Sequence, residues 1–190
     1  MCGRYYFTHV SEDEKIDAVN KYMEKNYPGE YKTGEILPGD IVPAVIDKQG
    51  KLVAVPAGFG FPGFKDNRLI INARSETAAE KTFADSLRDR RVILPASGFF
   101  EWSHHDKVKI KYLFTVDAMQ TIYLCGIYKL IDGVYRFVIL TRPANESMIE
   151  VHDWMPVIVG EKDVRPYLTD HSAAAEILAT ASPMLLRKPA

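Results

Sequence analysis

The 190-residue sequence has a formal net charge of −1, with 47% hydrophobic and 26% charged residues. A chain of this length is expected to form one domain, residues 1–190, with a core that needs no covalent staples. The charge balance excludes a strongly basic nucleic-acid module, so any nucleic-acid contact has to come from a local cluster. Two cysteines, Cys2 and Cys125, make no disulfide framework. There is no apolar signal core, and no run reaches the ~18 apolar residues of a membrane span. The chain is therefore read as cytoplasmic, without membrane contact.

In chain order, the first feature is Cys2, directly after Met1. Its side chain is small enough for methionine aminopeptidase to remove Met1, which would leave a 1,2-aminothiol. An α-amine titrates near ~7.7–8.0 and a thiol near ~8.5, so both are partly nucleophilic at neutral pH. Together they can trap an aldehyde as an imine that sulfur closes into a five-membered thiazolidine. The alternative is that Cys2 is an incidental small core residue.

A first helix is expected over residues 11–26, opened by a Ser11/Glu14 capping box, with Ile16, Val19 and Met23 on one face. Residues 27–40 are rich in turns, punctuated by Pro28-Gly29 and Pro38-Gly39. Strand-like runs follow at 41–46, 52–55, 69–71, 92–94, 111–116, 122–128 and 135–140. Gln49-Gly50 and Asp132-Gly133 fall between pairs of these runs as hairpin turns. Short helices are expected around 78–87, 145–149, 163–168 and 172–180. Many short strands with few helices predict an α+β fold with a curved, mainly antiparallel, barrel-like β core and peripheral helices.

Four polar clusters interrupt the apolar strand ends. They are Cys2-Gly3-Arg4; Ile71-Asn72-Ala73-Arg74-Ser75-Glu76; the apolar stretch ending Gly98-Phe99-Phe100-Glu101-Trp102; and Val151-His152-Asp153-Trp154-Met155-Pro156. They supply a nucleophile, an amide, a carboxylate and an imidazole, the parts that acyl- or carbonyl-transfer chemistry requires. A carboxylate between aromatics is expected to have a raised pKa, as a general acid or base needs. The structural alternatives are a strand-end cap for Asn72, an ion pair of Glu101 with Arg74 or Lys111, and a core or Asp153-paired role for His152. Cys125 lies in an apolar run and is expected to be buried. His104-His105-Asp106 lacks partners at zinc spacing, and no metal or cofactor is implied. Arg88-Asp89-Arg90-Arg91 reads as a solvated, charge-mixed turn, and no Gly-rich phosphate loop is present.

These four clusters, joined by a fifth segment, occur in the order Met1-Cys2-Gly3-Arg4, Ile71-Asn72-Ala73-Arg74-Ser75-Glu76-Thr77, Gly98-Phe99-Phe100-Glu101-Trp102, Thr141-Arg142-Pro143-Ala144-Asn145 and His152-Asp153-Trp154-Met155-Pro156. In this order they resemble the SRAP (SOS-response-associated peptidase) family, whose members sense abasic sites in single-stranded DNA. The resemblance runs from Cys2 to about Leu168. It implies an SRAP-like fold and a monomer whose partner is single-stranded DNA containing abasic sites, in a nucleoid-associated setting if bacterial. It implies that Cys2 forms a thiazolidine crosslink with the ring-opened sugar, and that residues preceding the cysteine are removed. Glu101 would be the acid/base, His152 a proton shuttle and Asn72 the residue orienting the amino terminus. Arg4 and Arg74 would contact phosphates, Trp102 and Thr141 would line the site, and Pro38 would border the DNA channel.

The sequence departs from the family pattern in three places. Residues 57–65 lack the usual tryptophan-glycine pair and offer Phe64 for stacking. Trp154 stands where a basic or small polar residue is common. The tail after Ser182-Pro183-Met184 lacks the typical valine-asparagine ending. Two other readings are an N-terminal-cysteine peptidase or amidase and a non-catalytic single-stranded DNA-binding module.

Overall fold

The two hairpins expected from Gln49-Gly50 and Asp132-Gly133 are present, and all four turn residues have positive φ (56°, 82°, 50° and 78°). That is the type I′ geometry whose twist matches paired strands. A computed structural model describes residues 2–9, 13–63, 68–103, 108–117, 119 and 121–190. Its elements run β1 (Tyr5–Phe7), α1 (Glu14–Asn26), β2 (Gly34–Ile36), β3 (Ile41–Lys48), β4 (Lys51–Phe59), β5 (Phe61–Pro62), β6 (Leu69–Ile70) and β7 (Asn72–Arg74). A 3-10 turn (Lys81–Phe83) leads to α2 (Ala84–Asp89), β8 (Arg91–Ala96), β9 (Gly98–Trp102), β10 (Lys111–Val116), β11 (Ile122–Ile131) and β12 (Val134–Pro143). The chain ends with β13 (Trp154–Pro156), β14 (Ile158–Val159), α3 (Glu161–Thr169), α4 (His171–Ala179) and β15 (Leu185–Pro189).

Strands β12, β4, β3, β8 and β11 pair in that order, and β11 pairs back onto β12, so five strands close a barrel. The barrel-like core expected from sequence is therefore present, and most of its pairings are antiparallel. The exceptions are β4 and β7, which both run parallel to β12. A second sheet, ordered β15-β10-β9-β1-β2, is antiparallel throughout. It joins the barrel at the β8–β9 corner, where the Ser97 amide donates to the Tyr6 carbonyl at 2.8 Å.

Why the barrel strands read as unbroken apolar runs follows from burial on both faces. Val92, Leu94, Ile122, Leu124, Phe137 and Ile139 enter one cluster, shared with Cys2, Tyr5, Phe99 and Phe114 of the second sheet. Their neighbours Ile93, Cys125, Val138 and Leu140 enter the other, beneath Tyr167 and Leu168 of α3. Stacked pairs Phe59–Phe137 and Phe99–Phe114, with centroids 5.1 and 5.2 Å apart, fill the first.

Several local expectations change. Helix α1 starts at Glu14 and is capped by Asp13, whose carboxylate accepts from the Lys15 amide at 2.9 Å; Ser11 lies outside the described residues. Residues 145–149 form a turn rather than a helix, because the Asn145 Oδ1 accepts from the Ser147 amide at 3.1 Å. Residues 78–87 divide between turn, 3-10 and α2. Arg91 is not a solvated turn residue. It is buried on β8, where its guanidinium donates to the Leu87, Arg88, Tyr167 and Leu168 carbonyls and ties α2 to α3. The C-terminal tail is a strand, paired along β10 from Tyr112↔Pro189 to Val116↔Leu185.

Closure leaves no room at Gly126 on β11. A Cβ there would lie 2.6 Å from the Val138 carbonyl oxygen and 3.0 Å from a Val92 methyl. Gly126→Ala is expected to lower unfolding free energy by about 2 kcal/mol through overpacking against backbone, measured by denaturant titration.

Candidate functional site

Cys2 is fully buried just ahead of β1. Two anchors hold it there. On one side, the Phe100 amide donates to the Arg4 carbonyl at 2.8 Å and Tyr5 registers with Phe99, so β9 runs alongside. On the other, the Asn72 Nδ2 donates to the Cys2 carbonyl oxygen at 3.0 Å and to the Ile139 carbonyl at 3.4 Å. Asn72 thus satisfies backbone groups at the start of a strand, and in doing so its amide bridges two segments far apart in sequence. Its Oδ1 is buried and makes no hydrogen bond among the described residues.

Glu101 is nearly buried on β9, opposite Tyr112 of β10. Desolvation lifts its carboxyl to about 7. Burial likewise pushes the Cys2 thiol far above its ordinary range, and the Glu101 charge pushes the same way. The carboxyl and the thiol are therefore both raised chiefly by burial, and the Glu101 charge further disfavours ionisation of the thiol. The alternative ion pairs for Glu101 are used elsewhere: Lys111 binds Glu35, and Arg74 lies over Trp154.

Glu35 escaped sequence reasoning, because Gly34-Glu35-Ile36 carries no motif. Its Oε1 accepts from Arg4 Nη1 at 2.8 Å and from Lys111 Nζ at 2.7 Å. The Lys111 hydrogen bond and then Arg4, working against burial, hold its carboxyl below the usual range. Arg4 also sits over the Trp102 ring at 4.8 Å, and Lys111 lies 4.0 Å from the Phe100 centroid. Arg4, Trp102, Lys111 and Glu35 thus form one packed group beside Cys2.

Arg74 follows Asn72 by two residues on β7, so both project to the same side. Its guanidinium lies 4.3 Å above the Trp154 ring. The Trp154 amide in turn donates to His152 Nδ1 at 2.9 Å, which puts the proton of the neutral imidazole on Nε2. Thr141 is 1% exposed and donates to the Ala73 carbonyl at 3.4 Å, so it supports β7 from beneath. Pro38 is exposed in a turn at Leu37–Asp40, where Gly39 has φ 96° and the Asp40 amide donates to the Leu37 carbonyl. Phe64 and the His104-His105-Asp106 run lie outside the described residues.

Among the described residues no group of three His, Cys, Asp or Glu could hold a metal, and no helix is long and apolar enough to cross a membrane. The geometry therefore links Cys2 to Asn72 by a hydrogen bond, Cys2 to Glu101 by charge, and Arg74 through Trp154 to His152.

A raised carboxyl pKa has a definite effect on stability. Between about 4.5 and 7 the unfolded chain has ionised at Glu101 while the folded chain keeps its proton, so stability falls as pH rises through that window. Glu101→Gln removes the loss. Its melting temperature, relative to the parent chain, is expected to rise from pH 4.5 to pH 8, by an amount equivalent to about 3 kcal/mol.

The SOS response associated peptidase (SRAP) family model matches residues 1–188. A curated relative, "Abasic site processing protein YoqW" of Bacillus subtilis, is 31% identical over 193 residues, covering 94% of this chain and 84% of its own. Escherichia coli YedK, also named an abasic site processing protein, is 27% identical, with 93% and 83% covered. Among solved structures, a Bordetella bronchiseptica protein superposes with a TM-score of 0.77 at 17% identity, over 100% of this chain and 99% of that one. A Bacteroides thetaiotaomicron protein gives 0.76 at 19%, over 99% and 91%. These structures share the fold, and the family match with the 31% identical relative shows that the chain belongs to the SRAP family.

Proposed function

We propose that this chain, acting as one domain, captures the ring-opened aldehyde of an abasic site in single-stranded DNA through Cys2. The observation that carries the reading is the convergence of Asn72 and Glu101 on a buried N-terminal cysteine. The relatives' names, abasic site processing proteins, support it.

Release of Met1, by an aminopeptidase or by the chain itself, gives Cys2 a free amine. The amine attacks C1′ and water leaves, forming a Schiff base. The thiol then adds across the C=N bond, its proton passes to nitrogen, and a thiazolidine closes. Each step needs a proton carrier that works near neutrality, and a carboxyl at about 7 meets that need. The unoccupied Asn72 Oδ1 is the acceptor that would fix the amine, while its Nδ2 already holds the Cys2 carbonyl. His152 would move protons through Nε2, since Nδ1 is engaged by the Trp154 amide. Arg4 and Arg74 would meet phosphates beside the lesion, with Trp102 and Pro38 along the strand's path and Thr141 holding β7 in place.

The test is a denaturing gel of Met1-processed protein with a single strand containing one abasic site. A heat-stable shifted band is expected for the parent chain, with none for Cys2→Ala, Cys2→Ser or unprocessed protein. Glu101→Gln is expected to slow band formation about 10²-fold or more at pH 7, the scale of positioned acid–base catalysis. No band from verified processed protein overturns the capture reading, and retained peptide hydrolysis by Cys2→Ser would favour a hydrolase.

A further inference from the structure

A protein that grips single-stranded DNA needs flat surfaces on which bases can stack, and the described phenylalanines of the segment expected to supply them, which leaves out Phe64, are buried. Of the phenylalanines described in residues 57–65, Phe59 is fully buried against Phe137, and Phe61 is buried near Phe83. The chain has two tryptophans, Trp102 and Trp154. Each is half-buried and each carries an arginine of the candidate site, Arg4 at 4.8 Å and Arg74 at 4.3 Å.

The two pairs differ in charge. Arg4 is answered by Glu35 at 2.8 Å. Arg74 is exposed, and among the described residues it forms no ion pair. An indole beneath a guanidinium holds it flat through cation–π attraction. A guanidinium so held offers its other face to a base, while its rim N–H groups remain available to phosphate. The Trp154 backbone amide also donates to His152 Nδ1, which ties the backbone carrying the indole to the imidazole.

We infer that Trp154 and Arg74 form a stacking platform that receives one nucleobase next to the lesion, layered as base, guanidinium and indole. The inference rests on the single-stranded DNA reading above and adds the element that takes a base. Trp154 acts here as the positioning residue for Arg74.

The test uses strands that cannot crosslink, so it is independent of the Cys2 chemistry. A short single strand carries one tetrahydrofuran spacer in place of the lesion, and a second spacer replaces each flanking nucleotide in turn. Affinity is read by fluorescence anisotropy. The parent chain is expected to lose about ten-fold in affinity when the base is missing at one particular flanking position. Trp154→Ala is expected to bind the fully based strand about ten-fold more weakly and to lose discrimination at that position, whereas Trp154→Phe retains it. Arg74→Ala, at an exposed site, reads the same preference should Trp154→Ala not fold. Discrimination that survives both Trp154→Ala and Arg74→Ala, or that is absent from the parent chain, overturns the platform alone. A parent chain that binds none of the strands overturns the single-stranded DNA reading as well.

Discussion

The hydrogen bond from Asn72 to the Cys2 carbonyl is the constraint on which the site depends. Segments at the edge of a fold fray unless something ties them down, and Cys2 lies just ahead of the three-residue strand β1. Asn72 can perform the tie because β7 lies parallel to β12, which sets Asn72 opposite Ile139 and Arg74 opposite Thr141. A typical hydrogen bond adds only about 0.5–1.5 kcal/mol, but an orphaned buried carbonyl is penalised by about 1–3 kcal/mol. Loss of Asn72 would thus leave the Cys2 carbonyl without this partner, while β1 behind it stays paired with β9 and β2.

Charge is arranged in two zones around that tie. Inside, the Cys2 thiol and Glu101 carboxyl are both pushed toward their neutral forms by burial. Outside, Arg4 and Lys111 share one carboxylate, Glu35, so two cations are held beside the site with a single compensating charge. A chain with net charge −1 can thereby present a local positive surface without a basic domain. In the proposed capture, the inner zone handles protons and the outer zone handles the strand.

Much of this was legible in the sequence, for identifiable reasons. Gln49-Gly50 and Asp132-Gly133 announce their hairpins because positive φ restricts which residues can turn there. The polar clusters at Cys2, Asn72, Glu101 and His152 stand out because polar residues interrupt apolar strand ends. Strands β1, β9, β13 and β15 were harder to see, being at most five residues long and stabilised by partners distant in sequence. The closing pair β4–β12 joins residues such as Ala57 and Tyr135, a pairing no local pattern encodes. Glu35 lacked any signal, since its importance comes from which two cations reach it. Trp154 was visible only as an unusual residue after His152-Asp153, and its place under Arg74 required the β12–β13 register that sets Trp154 opposite Pro143.

The burial of Cys2 also has a temporal side. Its segment is held by Asn72 and Phe100, neither of which exists when the segment first emerges during synthesis. At ribosomal rates of about 5–20 residues per second, roughly 5–20 s pass before residue 100 is added. Over that interval the Cys2 segment lacks the contacts that bury it in the folded protein. The long-range pairing that shelters the cysteine therefore forms only after much of the chain has been made.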